Sequence, residues 1–373
     1  MLKRMVVLMV LIAACSMFAA VYDIPHNSIS DHGDATVQGS IAWYFSTYSI
    51  NDTYRLSSSA NYYTSKTLTV PSNSILTVTS GASAVIKAGG NSSSPVYDSP
   101  LIILQNGAQI YGRDDDYSTL KIDANKKARN GIDTRYATGN VIMDCTVINT
   151  LNTYSTSGMK YQHLINGDGT TELLVDHCLL RYAGYPALNI NSYDSVARGI
   201  SVCNSTDPEI IYCDIAYTMG STVAIAETVG AEIGHNYMQY SGLCSSEYGE
   251  SYSEDSIIGY HNTGATSGVD KRCYIRYNLI RYYGNHGVHV SGKGFHIDYN
   301  EIYGGEHCAV YLGDWRSPDT ECSSDSTISN NYVKWGSSYS PNYPIYINPY
   351  KNGTISVYGN TGDTTVQWGS TCN

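Results

Sequence analysis

The chain has 373 residues, with 22 Lys+Arg against 33 Asp+Glu for a net charge of −11, and a hydrophobic fraction of 42%. That apolar content supports a large core and excludes a disordered chain, and an acidic balance without a dense basic patch excludes a nucleic-acid binder. Tyrosine is the oddity: 35 Tyr stand against 3 Phe and 4 Trp, so nearly every ring carries a hydroxyl that a purely buried ring would not need.

Residues 1–20 read as a secretory signal. Lys3 and Arg4 form its charged region, and Met5 to Ala14 is an apolar stretch too short to span a bilayer. The mature protein is therefore expected to be secreted or held at the cell surface. Ile12-Ala13-Ala14-Cys15 resembles a bacterial lipoprotein cleavage box, with Cys15 as lipid acceptor; ordinary cleavage near Ala19 or Ala20 is the alternative. No later segment is apolar enough for a transmembrane helix.

Residues 21–66 are expected to form a cap. Val37, Ile41, Phe45 and Tyr48 recur at helical spacing, with Asp34 or Thr36 as N-cap, and such a helix would close the open end of a repeat structure. Short apolar strands follow at Thr67 to Val70, Ile75 to Val78, Ala84 to Ile86, Leu101 to Leu104 and Leu120 to Ile122.

From residue 139 onward one pattern repeats eight times: an aliphatic residue, two residues, Asn or Cys, one residue, an apolar residue. The Asn/Cys positions are Cys145, Cys178, Cys213, Asn236, Asn278, Asn300, Asn331 and, most weakly, Asn360. Residues three apart on a straight strand face opposite ways, so both flanking apolar residues and the Asn/Cys point inward only if the chain bends between them. Asn tolerates a left-handed bend, and stacked amides satisfy one another from rung to rung. A Gly often follows (Gly184, Gly242, Gly284), and then a third strand: 187–190, 222–225, 287–290, 309–312 and 344–347. Three strands per turn describe a solenoid; a β-sandwich array, the other all-β option, would show alternation without an Asn column.

In these features the sequence resembles the pectate-lyase-like right-handed parallel β-helix superfamily. The resemblance implies an all-β, single-stranded right-handed parallel β-helix over residues 67–373, with an N-terminal capping helix. Cys145, Cys178 and Cys213 then form an internal stack of thiols. Of 10 cysteines, nine follow Ala20. Cys244 with Cys273, and Cys308 with Cys322, each flank a polar insertion and are the expected disulfides.

Members of the superfamily usually hold glycan chains in a groove along the first-strand sheet, here the strand after the Gly. Its outward column is read as Asn189, Ala224, a rung near Ile258, His289, Tyr311 and Tyr346. Lyase chemistry on an acidic sugar needs a base, a cation and an acid, roles that His289, Lys293 or Arg316, and Tyr311 could fill. Hydrolysis needs paired carboxylates, which Asp314 with Glu306 or Glu227 could supply. Trp315 and the tyrosines offer rings for sugar stacking, and His307 lies one rung beyond His286 and His289. Asp114, Asp115 and Asp116 form an acidic run suited to calcium, and His286-Gly287-Val288-His289 with His307 one rung on could hold a metal, although spacing fixes no carboxylate beside them. The clustered aspartates of calcium-dependent pectate lyases and the paired aspartates of polygalacturonases are not found. The expected function is a polysaccharide lyase or glycoside hydrolase acting on extracellular glycan. The alternative is a non-catalytic surface or adhesive protein, which could self-associate through its Tyr-rich faces and strand edges.

Overall fold

The computed structural model describes residues 19–48, 50–89, 99–113, 116–151, 162–184, 197–242, 255–263, 272–305, 307–313, 322–334, 343–350, 353–369 and 371. Their strands form three long parallel sheets of 12, 12 and 11 strands, and each sheet takes one strand per coil except where Val310–Leu312 and Ser323–Ser324 both join the same sheet from one coil. We name them A (for example Val141–Met143), B (Cys145–Ile148) and C (Ile165–Asn166), in the order in which a coil visits them. The architecture is the expected right-handed parallel β-helix. Coils stack about 4.8 Å apart, so like residues on successive coils lie directly over one another.

The core is a set of such stacks. In sheet A, Leu76, Ile110, Ile142, Val175, Ile210, Ile233, Ile275, Ile297 and Ile328 pair rung to rung, all buried. Each such side chain contributes about 1.5–3 kcal/mol of burial. Within residues 21–66, Val21–Ile24, Thr53–Leu56 and Asn61–Thr64 already belong to sheets A and B. The helix is there but shorter than its periodicity suggests, Ile41–Thr47, because Ser40 is the N-cap and accepts from the Trp43 amide at 3.0 Å. Asp34 instead closes a local turn through the Thr36 amide and hydroxyl.

The ladder at the corner between sheets A and B is a continuous hydrogen-bonded column. The Oδ1 of Asn278 accepts from both the amide N–H and the Nδ2 of Asn236, at 3.1 Å each, while its Nδ2 donates to the Ile233 carbonyl at 2.9 Å. Asn300, Asn331 and Asn360 repeat the arrangement. At the other end, Asn236 Oδ1 takes the Cys213 amide, and the thiols of Cys178 and Cys213 donate to the Ile142 and Val175 carbonyls. Cys145 and Cys178 are in contact at 3.8 Å between sulfurs, so the thiol stack is present. Hydrogen bonding with Cys178 and burial hold the Cys145 thiol well above its usual range, and burial does the same at Cys213.

The Asn itself does not make the bend. The left-handed residue is the one before it: Asp144, His177, Tyr212, His235, Tyr277, Tyr299, Asn330 and Gly359 all have φ between 48° and 66°. The ladder residue must keep its side chain inside to bond the column, so the turn is displaced onto its neighbour, whose side chain points out. A second left-handed column runs through sheet B: Asn149, Tyr182, Tyr217, Tyr240, Tyr282 and Gly304. Five of the first set (His177, Tyr212, His235, Tyr277, Tyr299) stack ring on ring at 4.8–5.1 Å, and Tyr182, Tyr217, Tyr240 and Tyr282 stack at 5.0–5.2 Å. A non-glycine residue in this conformation costs roughly 1–2 kcal/mol. Each aromatic contact returns about 0.5–1.5 kcal/mol, so a ring with two neighbours offsets its own strain.

Two expectations about cysteine are overturned. Cys273 is a buried thiol that donates to the Thr228 carbonyl, so it is not bridged to Cys244, which lies outside the described residues. Cys308 is a buried thiol as well, whereas Cys322 is disulfide-bonded, so these two are not each other's partners. Flanking an insertion does not by itself bring two sulfurs to bonding distance. Likewise the strand expected at 187–190 lies outside the described residues, and the sheet C position on that coil belongs to Ile200–Ser201, between Ile165–Asn166 and Val223–Ala224.

Two substitutions test these columns by urea unfolding. Asn278→Ala leaves the Asn236 amide and the Ile233 carbonyl without their partners in a dry interior and is expected to cost about 3 kcal/mol. Asn278→Cys keeps a donor for that carbonyl, as at Cys178 and Cys213, and should cost less. At the outward corner the order reverses the usual preference: Tyr277→Gly should unfold later than Tyr277→Ala, because glycine relieves the left-handed strain while both lose the stack.

Candidate functional site on sheet C

The outward column of sheet C reads Asp133, Asn166, Ser201, Ala224, Ile258, His289, Tyr311, Tyr346 and Gln367 in unbroken register. His289, Tyr311 and Tyr346 therefore stand on successive rungs as expected, with Ile258 on the rung before. The column at these rungs is not an open groove: His289 is 1% exposed and Tyr311 5%. The His289 and Tyr311 rings lie face to face, 4.5 Å apart and 11° from parallel. Tyr346 meets the Tyr311 ring edge-on at 5.2 Å, and Asn348 Nδ2 donates to the Tyr311 hydroxyl at 3.1 Å.

The organising group is Asp255, which sequence reasoning missed. Its Oδ1 accepts from the His286 amide at 3.0 Å and from His286 Nδ1 at 2.7 Å, and its Oδ2 faces His289 Nδ1 at 2.9 Å. His289 Nε2 donates to the Gly313 carbonyl at 2.9 Å. Carbonyl and carboxylate only accept, so both His289 bonds are made by the doubly protonated ring, and the cluster holds a buried imidazolium–carboxylate pair. Burial alone would raise the Asp255 carboxyl, but the His289 ring beside it and the hydrogen bonds from His286 and His289 override it and hold the group well below the usual carboxylate range. Burial pushes His286 down to about 4 against the opposing pull of Asp255, so this ring is neutral near pH 7. Its Nδ1–H is committed to Asp255, which leaves the Nε2 lone pair.

Register brings these residues together. Ile257 pairs with Val288 and Ile258 with His289, so Asp255, two before Ile257, lies one rung from His286, two before Val288. The same offset from an aliphatic strand residue was the signal available in the sequence; the rung near Ile258 was the one left without a clear strand, and its acid went with it. Beside the cluster, Ser291 Oγ, Ser323 Oγ and Asn348 Oδ1 are buried without a hydrogen-bond partner among the described residues.

The other expected site residues are dispersed. Lys293 is exposed at the end of the strand Val288–Lys293. His307 is half-buried with its ring 5.8 Å from that of His286. Glu227 is exposed on the turn after Val223–Ala224, and its amide donates to the Tyr260 carbonyl at 2.7 Å. Asn189, Glu306, Asp314, Trp315 and Arg316 lie outside the described residues, as do Asp114 and Asp115. Asp116 uses its carboxylate to accept from the Ser118 amide at 2.8 Å.

The laddered tyrosines do not offer sugar platforms along their length. Stacking on a sugar uses a ring face, and within both ladders the faces are spent on the next rung, so the inner rings present edges and hydroxyls to solvent.

No family model matches the sequence, and no curated protein matches it significantly. Among solved structures, the chain is similar to an alginate lyase from Paenibacillus, at TM-score 0.52 and 12% identity over 95% of this chain and 99% of that one. It is similar to a Family 28 exopolygalacturonase from Yersinia enterocolitica, at 0.53 and 11% over 95% and 78%. It is also similar to a surface protein and adhesin of Streptococcus pneumoniae, at 0.51 and 10% over 94% and 99%. Among the described residues no helix is long and apolar enough to cross a membrane. With three parallel sheets, an inward Asn column at one corner and these neighbours, the chain carries the pectate-lyase-like right-handed parallel β-helix fold.

Proposed function

We propose that this chain is an exported glycan-processing enzyme, a polysaccharide lyase or glycoside hydrolase, with its reaction centre around His286, Asp255, His289 and Tyr311 on the outer side of sheet C. The observation that carries the reading is a buried carboxylate held between two imidazoles on the outside of the solenoid, where an ordinary strand would carry solvated residues. Clusters of groups with strongly displaced titration mark sites of acid–base chemistry more often than they mark plain surface.

On this reading the base is His286 rather than His289. His289 has both nitrogens engaged and is a cation at rest, so its part is to fix Asp255 and to place positive charge beside a uronate carboxylate. His286 donates Nδ1–H to Asp255 and keeps Nε2 for a proton taken from the sugar. Tyr311, packed ring on ring against His289, serves as the acid for the leaving oxygen. Lys293, on the same strand, supplies a second cation, and Tyr346 borders the approach. For hydrolysis, Asp255 rather than Asp314 is the carboxylate at the centre, with Glu227 as its candidate partner. The fold fits export to the cell exterior or surface, since the alginate lyase, the exopolygalacturonase and the adhesin that share it are named for glycans or for attachment. The burial of His289 and Tyr311 favours the second reading, a non-catalytic adhesive protein in which the cluster only stiffens the sheet.

Incubation with alginate, polygalacturonate and neutral glucans separates the two. An enzyme releases unsaturated uronates, read by ultraviolet absorbance, or new reducing ends; His286→Ala should then lower kcat by about 10²–10⁴-fold, while Tyr277→Ala, on the opposite corner, should not. Retention on a glycan without either product, unaltered by His286→Ala, would establish the adhesive reading instead.

A further inference from the structure

We propose that Asp255, His286 and His289 form a binding site for a borderline divalent transition-metal ion, zinc before others, and that the ion and the acid–base cluster are two states of one site. The site itself does not depend on the glycan reading; only its effect on activity does.

Three independent features support it. The first is convergence. One ligand atom from each residue lies within 4.8 Å of the other two, and all three residues are buried. Two imidazole nitrogens and one carboxylate oxygen are a donor set that suits zinc; calcium and magnesium prefer all-oxygen surroundings. The ion therefore differs in kind from the calcium considered at residues 114–116.

The second is orientation. A ligating imidazole commonly donates its other ring N–H to a carbonyl or carboxylate, which fixes the tautomer and aims the lone pair. His289 does this with Nε2–H and the Gly313 carbonyl, so its Nδ1 is the nitrogen aimed at the centre. Asp255 is fixed in turn by the His286 backbone amide, a bond that does not have to be broken when an ion enters.

The third is spacing. In a tetrahedral site with bonds of about 2.0–2.1 Å the ligand atoms sit about 3.3 Å apart. His286 Nδ1 lies 2.7 Å from Oδ1 and His289 Nδ1 2.9 Å from Oδ2 of Asp255, so the ion enters by a small opening of these contacts and a turn of the carboxylate toward one oxygen. The Tyr260 hydroxyl already stands 3.3 Å from His289 Nδ1 and is placed as the fourth donor, a position that water fills otherwise.

The exchange balances without an oxidant or reductant. The ion forms bonds to the two Nδ1 atoms and to a carboxylate oxygen. His289, doubly protonated in the ion-free state, loses its Nδ1 proton to solvent, where buffer takes it up, while neutral His286 exchanges its Nδ1 proton through solvent for one on Nε2, so one proton is released per ion bound. His286 is then a ligand through Nδ1 and carries its proton on Nε2, so it is no longer a base. On the reading above, the loaded protein is inactive, and the ion is an inhibitor rather than a cofactor.

The test uses the full mature chain, dialysed against chelator and then titrated with zinc chloride by calorimetry and with cobalt chloride by visible absorption. One ion per chain is expected, with cobalt bands of four-coordinate nitrogen–oxygen type. Asp255→Asn and His286→Gln, both of which preserve side-chain shape, should each lower affinity at least tenfold, with folding checked by circular dichroism. His177→Ala/His235→Ala, which removes exposed ladder imidazoles, should leave stoichiometry and affinity unchanged. A wild-type chain that takes up no ion, or binding that survives in the folded Asp255→Asn and His286→Gln variants, overturns the site. Binding of one ion by a protein that is inactive on every glycan with and without it keeps the site and removes the catalytic reading.

Discussion

Every coil of this solenoid must turn a corner between sheets A and B inside a dry stack, and the way the backbone polar groups at that corner are satisfied governs the rest of the molecule. A turn with an apolar inward residue would leave one N–H and one C=O unpaired on every coil, at about 1–3 kcal/mol apiece. The Asn column removes that cost by making each side chain answer for the coils on both sides: Asn278 accepts from the Asn236 amide and donates to the Ile233 carbonyl on the coil before, and its Nδ2 also donates to Asn300 Oδ1 on the coil after. Because each member needs its neighbours, the column fixes the axial register of all coils at once. That register, in turn, sets which outward residues on sheet C meet.

The column also explains a composition that looks unrelated to it. Holding Asn or Cys inward displaces the left-handed turn onto the preceding, outward residue, a position for which glycine and Asn are the usual choices and where Gly359 and Asn330 are in fact found. In the middle coils the position is instead Tyr or His, and the same exchange occurs in the second column, where Gly304 follows four tyrosines. Rings stacked at about 5 Å give back what the backbone loses. The tyrosine excess is therefore in good part a device for tolerating strained corners on a periodic scaffold, rather than an excess of contact surface.

This separates what the sequence makes legible from what it hides. Period, sheet assignment, the Asn/Cys column, the thiol stack and the alignment of His289 with Tyr311 and Tyr346 are all properties that repeat, and repetition can be counted along a chain. The identity of the bending residue was off by one because the offset pattern shows where a bend is needed but not which side of the ladder residue supplies it. The helix cap moved from Asp34 or Thr36 to Ser40 because a turn residue and a cap residue have the same chemistry. The disulfide pairs failed for a plainer reason: bonding distance between two sulfurs is a single event, and nothing periodic reports it. Asp255 was missed likewise, since it stands outside any strand and acquires meaning only through one neighbouring coil.

That last case shows how a repeat fold without a natural pocket can build a site. Neither Asp255 nor the His286/His289 pair is special on its own coil; the cluster exists because Ile257 packs against Val288 in the core and thereby sets Asp255 one rung from His286. The inward face thus determines the chemistry of the outward face. A change of one methylene at Val288 or Ile257, remote from any ligand, shifts the rung spacing on which hydrogen bonds of 2.7 and 2.9 Å depend. Register at the site is locally doubled as well: the strand Val288–Lys293 pairs with Val310–Leu312 and, past Gly292, with Ser323–Ser324, so two later segments brace the one that carries His289. A buried charge pair needs such bracing, because its attraction outweighs the loss of water only while the geometry holds.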